Sequence, residues 1–350
     1  MRHQGQSCHG KPDVDREANQ DDQNEYDCSP AHGSEIALSE AGAKLPYDKA
    51  AIASWCATRD IPVSVGERVG EGALNLHWQV TREDTGERLV FRQRGQGHWL
   101  RRGFVGEALA QTMAWRAGLK VPAVLHADTQ AMLMTHSEGC ADRLAVLALA
   151  ENAPDFRAEV TNQLKQLQAQ TGFDFKGEDQ ASWLRMAIND YCLASTPWLD
   201  QLQHPQRARS IMAAVAELGF DRLCLAHGDF RTGNLLIDGG LLSAVLDWEF
   251  AGYRPVEADI GWMLSSPWRY SRPDLTASGL MTRQALLNAL SQQDSPRLRG
   301  WEALALLRWA VIARLQDDRQ GLAAGANADE GALLREAEAL LEGPAPASVL

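Results

Sequence analysis

From Tyr47 onward the chain alternates between two hydrophobic periods. "YDKAAIASWCATR" reads as a short amphipathic helix. "LNLHWQVT" and "RLVFRQR" alternate apolar and polar positions as strands do, and the Gly-containing turn "REDTGE" joins them into an antiparallel hairpin. "GFVGEALAQTMAWRAG" sets Val105, Leu109 and Met113 four apart, which is helical spacing, and Gly118 and Pro122 supply its stop signal. "AVLHAD" and "AMLMTHSEG" read as two more strands. After Gly139 the pattern turns helical, through "RAEVTNQLKQLQAQTG", "ASWLRMAINDYCLA", "PQRARSIMAAVAELG", "RQALLNALSQ", "GWEALALLRWAVIARLQDDR" and "EGALLREAEALLEG". One strand-like island interrupts these helices, between Leu225 and Gly252. The expected fold class is α+β, with a small sheet-rich lobe over residues 46–137 and a helical lobe over 138–343.

Residues 1–45 differ in character. They are rich in Asp, Glu, Gln, Asn, Ser and Gly and poor in large apolar residues. Such a segment cannot bury enough surface to offset the entropy of ordering it, so a disordered acidic tail is expected. A short tail over 344–350 closes the chain.

Charge and composition narrow the function. The 350 residues carry a formal net charge of −12. That balance argues against nucleic acid or an anionic membrane as the main partner, because both attract basic surfaces. The most apolar run, "ALALLRWAVIARL", is interrupted by Arg308 and Arg314, and nothing approaches the ~18 apolar residues of a membrane span. Six cysteines at irregular spacing suggest reduced thiols and a cytoplasmic protein rather than a disulfide framework. Nothing in the sequence speaks to oligomeric state.

The island "LAHGDFRTGNLLIDGGLLSAVLDWEFAG" concentrates the candidate chemistry. Two apolar runs flank Gly239-Gly240, a strong hairpin signal. Folding there brings Asn234 and Asp247 to the open end, nearly opposite one another and ~5 Å apart at Cα if paired in register. One amide oxygen and one carboxylate suit a hard divalent cation such as Mg²⁺. Asp229 precedes Asn234 by five residues and can face the same point without sharing the cation, which is where a base for an incoming hydroxyl belongs. The spacing matches the phosphoryl-transfer template of protein kinases. Downstream, Trp262, Trp268 and Tyr270 could form an aromatic wall for a quaternary ammonium or a sugar, or serve as core.

With "EADIGWM" after it, this stretch resembles the aminoglycoside phosphotransferase and choline kinase family. The likeness extends to the branch related to the kinase-like domain fused to some acyl-CoA dehydrogenases. The resemblance implies a bilobal, protein-kinase-like fold. It also implies an ATP- and Mg²⁺-dependent phosphotransferase acting on a hydroxyl group of a small molecule. Asp229 would be the catalytic base, and Asn234 and Asp247 would hold Mg²⁺. His227 would brace the loop, Arg231 and Glu249 would help positioning, and Asp259 would support the loop by hydrogen bonds. In the first lobe, Gly70, Gly72 and Asn75 of "VGEGALN" would cover phosphates. Arg92 would clamp the α and β phosphates, with Glu107 as its ion-pair partner, although Arg94 shares its strand face. Backbone groups of Met134 and His136 would read the adenine edge. The acceptor stays open among a hydroxy acid or thioester, an amino alcohol, a sugar and an aminoglycoside. The alternative is a nucleotide-binding pseudokinase or regulatory protein of the same fold.

Overall fold

The computed structural model describes residues 47–69, 75–95, 103–173, 179–194 and 198–343. The two predicted tails, Gly70 and Gly72 lie outside the described residues. The first described element, α1 (Lys49–Ala57), starts where Asp48 accepts a hydrogen bond from Ala51 N at 2.8 Å, satisfying one of the unpaired N–H groups of the first turn.

A five-stranded antiparallel sheet follows. It is built from β1 (Val63–Arg68), β2 (Asn75–Arg82), β3 (Arg88–Arg94), β4 (Val124–Ala127) and β5 (Ala131–Thr135), in the order β1-β2-β3-β5-β4. Strand alternation along β3 divides its side chains. Leu89 and Phe91 join Ile52, Trp55 and Val80 in a cluster under α1. Val90 turns to the opposite face, where Phe104 and Ala108 of α2 (Phe104–Arg116) pack on Met132 and Met134. Arg92 therefore shares the α2 face.

Two features of this part depart from the apolar periodicity. Val105 is 48% exposed, and the inward face of α2 is instead Phe104, Glu107, Ala108, Gln111 and Ala114. Glu107 and Gln111 are admitted because they are paired, Glu107 with Arg92 and Gln111 Nε2 with the Pro122 carbonyl at 2.6 Å. Strand β1 was not signalled, since its alternation ends at a register irregularity between Val65 and Arg68.

Helices dominate the remainder: α3 (Arg143–Asn152), α4 (Pro154–Ala169), α5 (Gln180–Tyr191) and α6 (Pro205–Glu217). Two short ladders follow, one of β6 (Leu223–Ala226) with β9 (Gly252–Pro255), the other of β7 (Leu235–Asp238) with β8 (Leu241–Val245). The last helices are α7 (Glu257–Leu264), α8 (Arg283–Leu290), α9 (Pro296–Gln320) and α10 (Glu330–Glu342). Helix α9 is the axis of this part. Its Trp301, Leu304, Leu307 and Val311 are at most 1% exposed, and each such side chain contributes about 1.5–3 kcal/mol by leaving water. Helix α7 crosses α9 at Gly261, where an added Cβ would sit 2.7 Å from Glu302 N. That close crossing presses Asp259 and Trp262 toward the loop that follows β6. No described helix is long and apolar enough to cross a membrane.

Candidate active site

The loop from His227 to Asn234 leaves the end of β6 and is tied down from several directions. Asp259 on α7 accepts from His227 N at 2.7 Å and from Gly228 N at 2.8 Å. The fully buried His227 ring links the loop to the hairpin. Its Nε2 donates to the Leu246 carbonyl at 3.0 Å, while Nδ1 accepts from Asp229 N at 3.1 Å. That pair of bonds requires the neutral Nε2–H tautomer. Burial pushes the imidazole pKa down, which favours the same form. From below, Arg308 on α9 donates through Nη1 to the Gly228 carbonyl.

Three donors fix the carboxylate of Asp229, which is 6% exposed. Trp262 Nε1 and Arg231 Nε reach Oδ1 at 2.7 and 3.0 Å, and Asn234 Nδ2 reaches Oδ2 at 2.7 Å. Asn234 Nδ2 also bonds the Asp229 carbonyl at 2.8 Å. The Asn234 amide nitrogen is thus fully engaged, and its oxygen is left as an acceptor.

The β7/β8 hairpin turns through Gly239 and Gly240, both at positive φ (56° and 81°), between the paired residues Asp238 and Leu241. Its register is one residue away from the symmetric expectation. Leu235 pairs with Val245, and Leu246 N donates to the Asn234 carbonyl at 2.8 Å, so Leu246 stands opposite Asn234. The turn pairs Asp238 with Leu241, which alone would set Val245 opposite Asn234; the irregularity between Leu236 and Ile237 moves the register by one residue, to Leu246. Asp247 follows at φ 68°, a left-handed conformation that Asp tolerates better than most side chains.

Asp247 then meets Arg92 from the sheet. Arg92 is 3% exposed and surrounded by carboxylates. It bonds Glu107 through Nη1, and through Nη2 it reaches Asp247 Oδ1 at 2.6 Å and Glu249 Oε2 at 3.5 Å. Arg94 makes none of these contacts. The three acids respond differently to one guanidinium. Burial pushes Glu107 up to about 7 against the pull of Arg92. Burial and the Asp247 charge drive Glu249 well above the usual carboxylate range. For Asp247, whose side chain is 37% exposed, desolvation also raises the pKa, but Arg92 and His77 outweigh it and the net direction is down. Asn75 closes the group by donating from Nδ2 to Glu249 Oε2 at 3.0 Å.

A family model described as "Phosphotransferase enzyme family" matches residues 65–307. The chain belongs to this family. It is a small-molecule kinase with the bilobal, protein-kinase-like α+β fold. Among solved structures, it is similar to a thermostable mutant of aminoglycoside phosphotransferase APH(4)-Ia in ternary complex with AMP-PNP and hygromycin B. The TM-score is 0.54 at 18% identity, covering 83% of this chain and 97% of that one. It is also similar to a Plasmodium vivax ethanolamine kinase, with a TM-score of 0.54, 12% identity and 80% of each chain covered. The APH(2")-IIa complex with gentamicin gives a TM-score of 0.51 at 11% identity, over 86% and 98% of the two chains. At such identities the likeness concerns the fold. No curated protein matches the chain.

In this phosphotransferase the segment between the lobes differs from the adenine-reading expectation in one detail. The His136 N–H donates to the Arg88 carbonyl at 3.2 Å, so it is engaged within the protein. Met134 lies inside β5, in register with Val90 and Val124, and its side chain packs with Phe104 and Met132. Three residues at the site were not given their place by the sequence. His77 pairs with Arg92 across β2 and β3, and burial followed by the Arg92 charge pushes its imidazole down to about 4. The strand alternation that carries Asn75 carries His77 as well. Trp262 holds the Asp229 carboxylate, and Arg308 holds the loop. Trp262 falls in the "EADIGWM" stretch but was read only as aromatic wall or core, Arg308 lies outside the motif, and the roles of both depend on how α7 and α9 cross.

Proposed function

We propose that this phosphotransferase transfers the γ-phosphoryl group of ATP to a hydroxyl group of a small molecule, with Mg²⁺ and with Asp229 as the base. The observation that carries the reading is the pairing of Asp229 with Asn234 and of Asp247 with Arg92, with both acids close enough to act on the buried His227. The solved neighbours that contain AMP-PNP or ADP support a nucleotide in the cleft.

In this reading Asp229 receives the acceptor proton as the hydroxyl oxygen bonds to the γ-phosphorus. The bond from that phosphorus to the bridging oxygen breaks, and ADP leaves. The fixed orientation of the Asp229 carboxylate sets the direction of attack. Arg92 places a permanent, buried positive charge where the nucleotide phosphates would lie. The bond of Asn75, at the start of β2, to Glu249 ties the sheet to the segment after β8 beside it. His227, Gly228 and Asp259 keep the loop rigid, so the base does not have to reorganise during the reaction.

The donor set fits Mg²⁺. Asn234 keeps a free amide oxygen because both of its nitrogen contacts go to Asp229. Asp247 is the acid of the Arg92 group whose pKa is held down, and its side chain is 37% exposed. Among the described residues no cluster of three or more His, Cys, Asp or Glu is arranged to hold a metal. A site with one amide and one carboxylate suits an ion that the nucleotide's own phosphates help to ligate. When bound, the ion would neutralise charge on the transferring phosphoryl group.

The division of labour follows the sequence boundary, with residues 46–137 providing the nucleotide side and 138–343 the base and acceptor side. The four described cysteines, Cys56, Cys140, Cys192 and Cys224, are free thiols, which suits the reducing cytoplasm. The test is ADP release from ATP with and without MgCl₂, for wild type and Asp229→Asn, over a panel of hydroxyl acceptors. The expected result is Mg²⁺-dependent turnover that falls by about a thousandfold or more in the variant. Equal turnover in the two proteins removes Asp229 as the base.

A further inference from the structure

The irregularity in the β7/β8 hairpin is one extra residue on β8. Ile237 pairs with Leu242 and Leu236 with Ala244, so Ser243 stands between them without a partner in β7. This is a β-bulge, in which one strand carries a residue more than the other. The bulge fixes where the two proposed cation ligands stand. With it, Leu246 lies opposite Asn234, and Asp247 follows at once. A regular ladder from the same turn would set Val245 there and carry Asp247 one residue, about 3.3 Å, further from Asn234.

Consecutive residues of the segment between β5 and α3 hold the hairpin at this point. The Glu138 carbonyl accepts from Ser243 Oγ at 2.7 Å. Cys140 N donates to the Ile237 carbonyl at 2.8 Å, and Ile237 N donates back to the Cys140 carbonyl at 2.9 Å. Gly139 lies between them at φ 131°. An added Cβ there would overlap the Ile237 carbonyl oxygen and lie 3.2 Å from Leu236 Cγ. A side chain would therefore push the segment off the hairpin, and the φ angle favours glycine independently.

The same segment is anchored to the sheet. The Glu138 carboxylate pairs with Arg88 of β3, and His136 N donates to the Arg88 carbonyl at 3.2 Å. Strand β3 also carries Arg92, so the strand whose guanidinium bonds Asp247 is joined through Glu138 to the bulge that sets the register of Asp247. The outer edge of β8 is bonded as well. Val245 N donates to the Lys120 carbonyl at 2.7 Å, and Lys120 Nζ donates to the Leu242 carbonyl at 2.9 Å. With both of its edges bonded beside the bulge, the hairpin resists a slip of one strand along the other.

We propose that Ser243 and Gly139 are positioning residues for the cation of the phosphotransfer reaction. Gly139 lets the segment between the lobes reach Ile237, and Ser243 anchors the bulge to Glu138. Together they hold the register that brings Asp247 beside Asn234. Both act through the hairpin backbone. The inference rests on the reading of Asn234 and Asp247 as the cation ligands given above, and it adds the residues that set their spacing.

The experiment measures Mn²⁺ uptake by the protein saturated with AMP-PNP, above that of the nucleotide alone, from the electron paramagnetic resonance of free Mn²⁺. A melting curve accompanies each measurement. The proteins are wild type, Asp247→Asn, Ser243→Ala, Ser243→Thr, Gly139→Ala and Gly219→Ala. Gly219 controls for left-handed strain alone, with φ 63° and nothing within 4 Å of an added Cβ. Ser243→Ala removes one hydrogen bond and should raise the Mn²⁺ dissociation constant about threefold, and Gly139→Ala should raise it about tenfold or more. Ser243→Thr keeps the hydroxyl and should bind Mn²⁺ as wild type does. Gly219→Ala should lower the melting temperature and leave the Mn²⁺ affinity unchanged. Two results overturn the proposal: wild-type Mn²⁺ affinity in both Ser243→Ala and Gly139→Ala, or equal weakening in Gly139→Ala and Gly219→Ala. If Gly139→Ala does not fold, Ser243→Ala against Ser243→Thr decides alone, and equal affinities reject the proposal. Asp247→Asn separates the parent reading. Equal Mn²⁺ binding in wild type and Asp247→Asn rejects Asp247 as a ligand. Loss in Asp247→Asn, with no effect of the Ser243 and Gly139 variants, rejects only their positioning role.

Discussion

The indole Nε1 of Trp262 donates to Asp229 Oδ1 at 2.7 Å, with Trp262 1% exposed in the interior. A core residue on α7 thus aims the carboxylate proposed as the base, through a bond that neither residue's neighbours in sequence reveal. Trp262→Phe removes the donor and keeps most of the ring. The expected cost is about 1 kcal/mol of stability and a fall in kcat of about tenfold or more, with the KM for ATP little changed. Steady-state kinetics beside a melting curve check this. A purely structural indole would lower the melting temperature and leave kcat of the remaining folded enzyme intact.

Arg308 poses the opposite balance between stability and activity. It is 1% exposed, lies against Tyr191, Phe250 and Trp262, and bonds the Gly228 carbonyl, with no ion pair to a described acid. Keeping an uncompensated charge buried is costly, so replacing it with an apolar side chain of similar length need not destabilise the fold. Arg308→Met is expected to change stability by no more than about 1 kcal/mol while lowering kcat several-fold, because the loop that carries the proposed base loses its lower anchor. Chemical unfolding midpoints and kcat are the two readouts. Loss of several kcal/mol with unchanged kcat in the surviving enzyme would falsify the assignment of Arg308 to the loop.

Arg308 also shows what kind of information was legible beforehand. In the sequence it is an interruption in an apolar helix; only the crossing of α9 beneath the loop gives it a function. The hairpin was readable because Gly239-Gly240 permits a turn at positive φ between two apolar runs. Its register was not, because the irregularity at Leu236 and Ile237 leaves no residue-type mark. The resemblance put the expected phosphate clamp at Arg92 while strand alternation left Arg94 on the same face, and it is Arg92 that meets Glu107 on α2. The same helix misled the apolar spacing, which favoured Val105, since two of its buried positions are polar and satisfied by partners distant in sequence. Local chemistry at the motif was therefore visible, whereas contacts made by helix crossings and strand irregularities were not.

The ion pair of Arg92 with Glu107 gives a test of how the sheet side is held. Glu107 is 8% exposed and Arg92 3%, so removing Arg92 leaves Glu107 buried without its ion-pair partner. Arg92→Ala is expected to cost about 3–5 kcal/mol. Arg92→Lys keeps the charge but cannot reach Glu107, Asp247 and Glu249 together through a planar fork. Its stability should fall less than that of Arg92→Ala, while the KM for ATP rises about tenfold. Thermal denaturation and ATP titration of both variants separate the two effects, and equal behaviour of Lys and Arg would show that the fork geometry is unimportant.

Stability against acid should depend on Asp317, near the end of α9. Its carboxylate, 1% exposed near the end of α9, accepts from Gly325 N at 2.7 Å, Ala326 N at 3.2 Å, Asn327 N at 2.9 Å and Asn327 Nδ2 at 2.6 Å. Burial alone would raise its pKa, but these donors outweigh it and the net direction is down. A carboxyl whose folded pKa lies below its unfolded value stabilises the fold fully above the unfolded value, about 3.9. That contribution disappears as the pH falls through the lower, folded value. Asp317→Asn keeps the shape but loses the charge and presents an N–H group to a ring of donors. At pH 7 the variant should be less stable by about 1.5–3 kcal/mol. Urea unfolding at neutral pH and at successive steps below pH 4 should show the wild-type and variant midpoints drawing together as the carboxylate takes up its proton. A gap that stays constant into strong acid would mean that the packing of the α9–α10 connection, and not the charge of Asp317, holds it in place.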